Sequence, residues 1–213
     1  MWNLSAGEPA SLDPGVTWDT ASGNIVLANV CDNLMRQTPD GSYQPSIAQA
    51  VQTPNPTTLV YDIRQGVRFT DGMPLTADDV VYSLKRQSQS YWGVFYQNVK
   101  AITKSGPSQV TVTMTKPDVI FPEVMSTPAG AIVEQKYTEA KGDAFGLPKG
   151  GVMCTGPYSL DTWAPGDSIT LKANPNYWDA AMRPKVGTIK FTFVRNPSTI
   201  TNGLTTGAID GAW

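Results

Sequence analysis

The chain has 213 residues, a net charge of −2, a pI near 5.1, 40% hydrophobic residues and 16% charged residues. That length allows one large domain or two small ones with a real apolar core, and the missing lysine–arginine footprint excludes a nucleic-acid binder in favour of small-molecule or peptide ligands. Histidine is absent, which removes His-based triads, His zinc ligands and imidazole bases, and neither a G-x-S-x-G elbow nor a phosphate loop occurs.

Taken in chain order, residues 2–5 read as a short strand, followed by the loop GEPASLDPGVTWDTAS. Leu27, Val30, Cys31 and Leu34 recur at i, i+3, i+4 and i+7, which predicts a helix from about 24 to 36, with Asp19, Thr20 or Ser22 able to cap its start. Pro39, Asp40 and Gly41 form a turn, and 45–50 reads as a short irregular or helical turn. Leu59, Tyr61 and Ile63 alternate with Asp62 and Arg64, the period of a half-buried strand. After the turn at Thr70, Asp71 and Gly72, a helix begins at Thr76. Asp79 stands three residues on, as in a capping box, and Val80, Val81 and Leu84 mark the core face. This motif has a sufficient structural explanation.

An aromatic segment, YWGVFY at 91–96, leads to an alternating strand marked by Val110, Val112 and Met114. A short helix is expected at 121–125 behind Pro122, helical tendency at 132–141, and a glycine-rich loop at 143–153. Two further strands follow at 169–173 and 188–194, then a helix at 197–207 and the start of a strand at 208–213. The mixed order fits an α+β or α/β layered fold. No apolar run approaches the ~20 residues that span a bilayer. Cys31 and Cys154 permit one disulfide in an oxidising compartment, or two buried free thiols.

Four segments stand in a telling order: SLDP at 11–14, VRFTDGMPLTADDVVYSLKR at 67–86, TGPYSLDTW with NPNYW across 155–178, and TTGAIDGAW at 205–213. Together they resemble the signatures of extracytoplasmic solute-binding proteins of ABC importers, family 5, the oligopeptide, dipeptide and nickel type. The resemblance implies a periplasmic-binding-protein-like class II lobe of mixed α/β type with an extra subdomain. Residues 1–36 and 154–213 would form the hinge-bearing subdomain and 37–153 the extra one, with the second lobe outside this chain. Cys154 stands where the family commonly has Gly or Asn, and Cys31 where an aromatic or aliphatic residue is usual. Departing together, they are expected to pair.

By the same resemblance the protein captures solute without chemistry, uses no cofactor, and is not an enzyme. Its partners would be a di- or oligopeptide and an ABC permease in the membrane, with the full-length form a monomer. The location would be extracytoplasmic, with an export signal outside this chain; whether a lipid anchors the protein is left open. Oligosaccharide or a metal chelate are the alternative cargoes, although a chain without histidine lacks the natural nickel ligand. Relatives place a loop after SLDP in the cleft, which here assigns Trp18, Asp19, Thr20 and Ser22 to ligand contact. Trp18 offers a flat face and Asp19 an acceptor, against the alternative that Asp19 caps the helix and Trp18 packs under it. Tyr91 and Trp92 form a second candidate surface, and Ser126 and Thr127 a third. The acid that holds a peptide's amino terminus in relatives lies in the second lobe. Two competing readings are a hydrolase using Asp19, Asp161 and Asp167, which needs two carboxylates in one cleft with one pKa raised, and an all-β adhesion module.

Overall fold

A computed structural model describes residues 1–16 and 21–212. In chain order the first elements are β1 (Trp2–Asn3), α1 (Ser22–Val30), β2 (Met35–Gln37), β3 (Tyr43–Pro45), β4 (Ala48–Asn55), β5 (Thr58–Ile63) and α2 (Ala77–Ser88). There follow β6 (Val99–Gly106), β7 (Gln109–Met114), α3 (Phe121–Val124) and α4 (Gln135–Lys141). The chain closes with β8 (Tyr158–Ala164), β9 (Ser168–Ala173), β10 (Thr188–Thr192), α5 (Pro197–Thr206) and β11 (Gly211–Ala212).

Two hydrophobic cores result. In the first, the antiparallel sheet β4-β5-β7-β6 lies against α2. Its register sets Leu59 opposite Val112 and Tyr61 opposite Val110, so the alternation puts all four, with Ile63 and Met114, on the face that meets Val80 and Leu84. Helix α2 starts as its sequence requires: the Thr76 hydroxyl accepts from the Asp79 amide, and Asp79 Oδ2 accepts from the Thr76 amide at 2.9 Å. Such a cap contributes about 1 kcal/mol. In the second core a five-stranded sheet, β11-β1-β10-β9-β8, packs on α1. There β1 runs parallel to both neighbours while β10, β9 and β8 are antiparallel. Val26, Leu27 and Val30 of α1 meet Leu4, Leu12, Ile169, Leu171 and Phe191.

Several expectations need correction. The helix expected over 24–36 ends at Val30, and Cys31 is already extended at φ −116°, ψ 129°. The apolar stripe that suggested a longer helix is shared between cores, with Leu27, Val30 and Cys31 in one and Leu34 in the other. Gly156 approaches the helix end closely, donating its N–H to the Val30 carbonyl at 2.9 Å; a Cβ there would lie 2.3 Å from that oxygen. The expected turn at 45–50 is instead occupied by the end of β3 and the start of β4, an edge strand whose two register shifts hide its period. Strands β6 and β8 carry no clean alternation either. β6 is an edge strand burying only Ile102, and a shift between Leu160 and Thr162 breaks the period of β8.

The chain passes from one core to the other between Cys31 and Leu34 and returns between Ile132 and Val133. Val133, Phe145 and Val152 therefore pack with α1 and the carboxy-terminal sheet, although they lie within 37–153. At this crossing Cys31 and Cys154 are joined by a disulfide, Cα atoms 4.8 Å apart, closing a loop of sequence separation 123. By the chain-entropy account such a closure stabilises by about 4–5 kcal/mol. A Cys31→Ala/Cys154→Ala double variant, or the reduced protein, is expected to lose that much unfolding free energy, read from urea unfolding with midpoint and slope fitted separately for each form because the opened chain expands more.

Candidate functional site

The crossing is fastened by one buried carboxylate. Asp32 accepts hydrogen bonds from the Thr155 hydroxyl (2.8 Å), the Tyr177 hydroxyl (2.8 Å) and the Trp178 ring N–H (2.9 Å). Those donors belong to the TGPY and NPNYW segments, which explains why tyrosine and tryptophan stand there: each brings an apolar body with one polar tip. Burial raises the Asp32 pKa above its ordinary 3.8, against the lowering effect of its three donors.

Beside Asp32, Asn33 forms an antiparallel bridge with Ala131, and its side-chain N–H donates to the Ser126 carbonyl at 2.7 Å. These residues wall a cavity of about 200 Å³ lined also by Pro14, Asn24, Leu27, Ala28, Cys31 and Pro128. Among the described residues its lining holds no charged side chain. Asn24 Oδ1 is a buried acceptor with no hydrogen-bond partner, so the cavity can accept a donor N–H and offers apolar walls around it.

The SLDP segment is held rigidly at the rim. Asp13 receives both terminal nitrogens of the Arg86 guanidinium, Nη1 at 2.6 Å, and accepts the Gly15 amide at 2.9 Å. That pairing is the leading cause of a raised Arg86 pKa. The Trp92 ring N–H donates to the Pro14 carbonyl at 2.7 Å. Gly146 lies against the same loop with φ +77°, and a Cβ there would lie 2.4 Å from the Asp13 nitrogen.

A family description, bacterial extracellular solute-binding proteins, family 5 middle, matches residues 42–213. The chain belongs to this family. As a family 5 solute-binding protein it is 27% identical to the dipeptide-binding protein DppE of Bacillus subtilis, over 97% of this chain and 41% of that protein. It is 24% identical to the periplasmic oligopeptide-binding protein OppA of Escherichia coli, over 97% of this chain and 41% of the relative. Among solved structures, Burkholderia pseudomallei OppA superposes with a TM-score of 0.87 at 24% identity, covering 100% of this chain and 45% of the other. A complex of AgaA with agropinic acid from A. tumefacien R10 superposes at 0.86 and 25% identity, over 98% and 42%. The chain thus spans about two fifths of the length of the curated relatives it matches, and its fold is the periplasmic-binding-protein-like one.

Of the residues expected at the ligand site, Trp18, Asp19 and Thr20 lie outside the described residues. Ser22 is buried at the start of α1 with its hydroxyl unpartnered. Ser126 lines the cavity, while its hydroxyl donates to the Glu123 carbonyl. The Thr127 hydroxyl donates to the Val124 carbonyl and caps the turn Pro128–Gly130. Trp92 is buried and props the Pro14 loop, whereas Tyr91 stands 61% exposed beside it. Asn24, Asn33 and Asp32 were missed. Their one sequence signal was a polar pair, Asp32-Asn33, between the apolar Cys31 and Leu34. Of the acids named for hydrolysis, Asp19 lies outside the described residues, and Asp161 and Asp167 do not fit. Asp161 is held below its ordinary pKa by the Lys172 ammonium at 2.7 Å and Asp167 by the Ser168 hydroxyl, both on the surface, the reverse of a general acid. The helices α1 and α2 exclude the all-β adhesion module.

Two outcomes follow from this geometry. Arg86→Ala removes the guanidinium that pairs with the buried Asp13 carboxylate, so a loss of roughly 3 kcal/mol is expected in chemical denaturation, with faster hydrogen exchange at the Gly15 amide. For Asp32 the raised pKa means that, between pH 3.8 and the folded value, the folded chain binds more protons than the unfolded chain. Its contribution is complete below pH 3.8 and is lost as pH rises through the folded pKa. Against Asp32→Asn, which cannot titrate, the wild-type stability should therefore fall with pH above about 4, and parallel curves would refute the assignment.

Proposed function

We propose that this chain is the solute-capturing portion of an extracytoplasmic binding protein that delivers di- or oligopeptides to an ABC permease, without chemical change to the cargo. The observation that carries it is the cavity lined by the amides of Asn24 and Asn33 and by Ser126 beside the braced Pro14 loop. Amide side chains of this kind pair with peptide N–H and C=O groups, and shape selects the side chain. The dipeptide- and oligopeptide-binding names of the relatives favour the same cargo. Trp18, Asp19 and Thr20 would complete the rim, with Ser22, Tyr91, Ser126 and Thr127 around it. Residues 1–36 with 154–213 would be the hinge-bearing subdomain and 37–153 the extra one, with Val133, Phe145 and Val152 of the latter packed into the core of the former. Among the described residues no helix is long and apolar enough to cross a membrane, and no cluster of His, Cys, Asp or Glu is placed to hold a metal ion.

Nuclear magnetic resonance titration of this chain with dipeptide, tripeptide and oligosaccharide probes tests the reading. Saturable shifts of the Asn24 and Asn33 side-chain amides are expected with peptide alone. Asn24→Ala should weaken them roughly fivefold, the value of about one hydrogen bond. Preference for oligosaccharide, or cleavage of any peptide, would overturn it.

A further inference from the structure

A second recess lies where the two cores meet. It shares no lining residue with the Asn24–Asn33 cavity and measures about 710 Å³. Its walls are Arg36, Arg64, Gln49, Gln65, Gly66, Trp178, Asp179 and Ala180. The Arg64 guanidinium sits 4.6 Å over the Trp178 ring, and its Nε donates to the Ser46 carbonyl at 3.1 Å. Among the described residues neither terminal nitrogen of Arg64 has a hydrogen-bond or ion-pair partner. Arg36 donates Nη1 to Asp179 Oδ2 at 2.8 Å, and the other Asp179 oxygen accepts the Ala181 amide. Two guanidinium groups and one carboxylate leave a single unmatched positive charge in the recess.

We propose that this recess is a binding site for a small monocarboxylate, gripped by the free fork of Arg64 and flanked by the Gln49 and Gln65 amides. A planar fork with two unused N–H edges matches a carboxylate with two oxygens, and stacking on Trp178 holds the fork in one orientation. The single unmatched charge selects one carboxylate over a dianion, and the exposed Gln49 and Gln65 give the ligand's neutral end a polar wall. Because Trp178 also donates to Asp32, an anion here would bear on the same side chain that fastens the crossing. The site is independent of the peptide reading.

The test is a titration with N-acetylglycine at constant ionic strength, followed by the resonances of the Trp178 ring N–H and the Arg64 Nε–H. N-acetylglycinamide, the uncharged isostere, is the control. Saturable shifts are expected with the carboxylate and not the amide, and Arg64→Gln should weaken binding about tenfold, as befits a lost charged hydrogen bond. Should Arg64→Gln fail to fold, Gln49→Glu supplies a competing carboxylate from an exposed position and should abolish the shifts. No saturable shift in the wild type, equal binding of the amide, or binding undiminished by Gln49→Glu would overturn the proposal.

Discussion

The buried carboxylate of Asp32 governs the place where the chain leaves one hydrophobic core for the other. Removing a charge from water costs several kcal/mol, and only full hydrogen bonding offsets it. Three donors converge on Asp32, from Thr155, Tyr177 and Trp178, all of them more than 120 residues away in sequence. None of the three is brought there by local preference. The disulfide of Cys31 and Cys154 lies one residue before this contact on both strands, so a covalent and a polar fastening act side by side. Together they fix residues 31–34, and with them the wall of the candidate cavity.

From that constraint the site follows. Asn33 can reach the Ser126 carbonyl because its neighbour Asp32 is held by three donors and because Leu34 is drawn into the other core. The opposite rim is held by different means. Asp13 is locked by Arg86 and Pro14 by Trp92, so the first loop is braced by the helix and aromatic turn of the other core. Among the described residues this braced recess offers apolar walls and one unpartnered amide oxygen, that of Asn24.

The signature segments were legible because each has its own local physics. The capping box at Thr76 and Asp79, the alternation of Leu59, Tyr61 and Ile63, and the turn at Gly72 all depend on neighbours in sequence. The helix after the first loop was legible only in part, since the apolar period at 27–34 carries no mark of where one core ends and the next begins. Strands β4, β6 and β8 stayed hidden for a related reason: edge position and register shifts erase the period of two.

Composition and local pattern alone determined the layered α/β class, the absence of imidazole chemistry, the capped helix and the ordered motifs that point to the solute-binding family. Tertiary structure alone decided that Asp32 is a fastening rather than a surface acid, that Trp92 braces a loop, and that Asn24 and Asn33 meet across one cavity. The physical reason is range. Caps, turns and alternation arise within a few residues, whereas burial of a carboxylate or the closing of a recess depends on groups whose separation along the chain leaves no trace in any window of sequence.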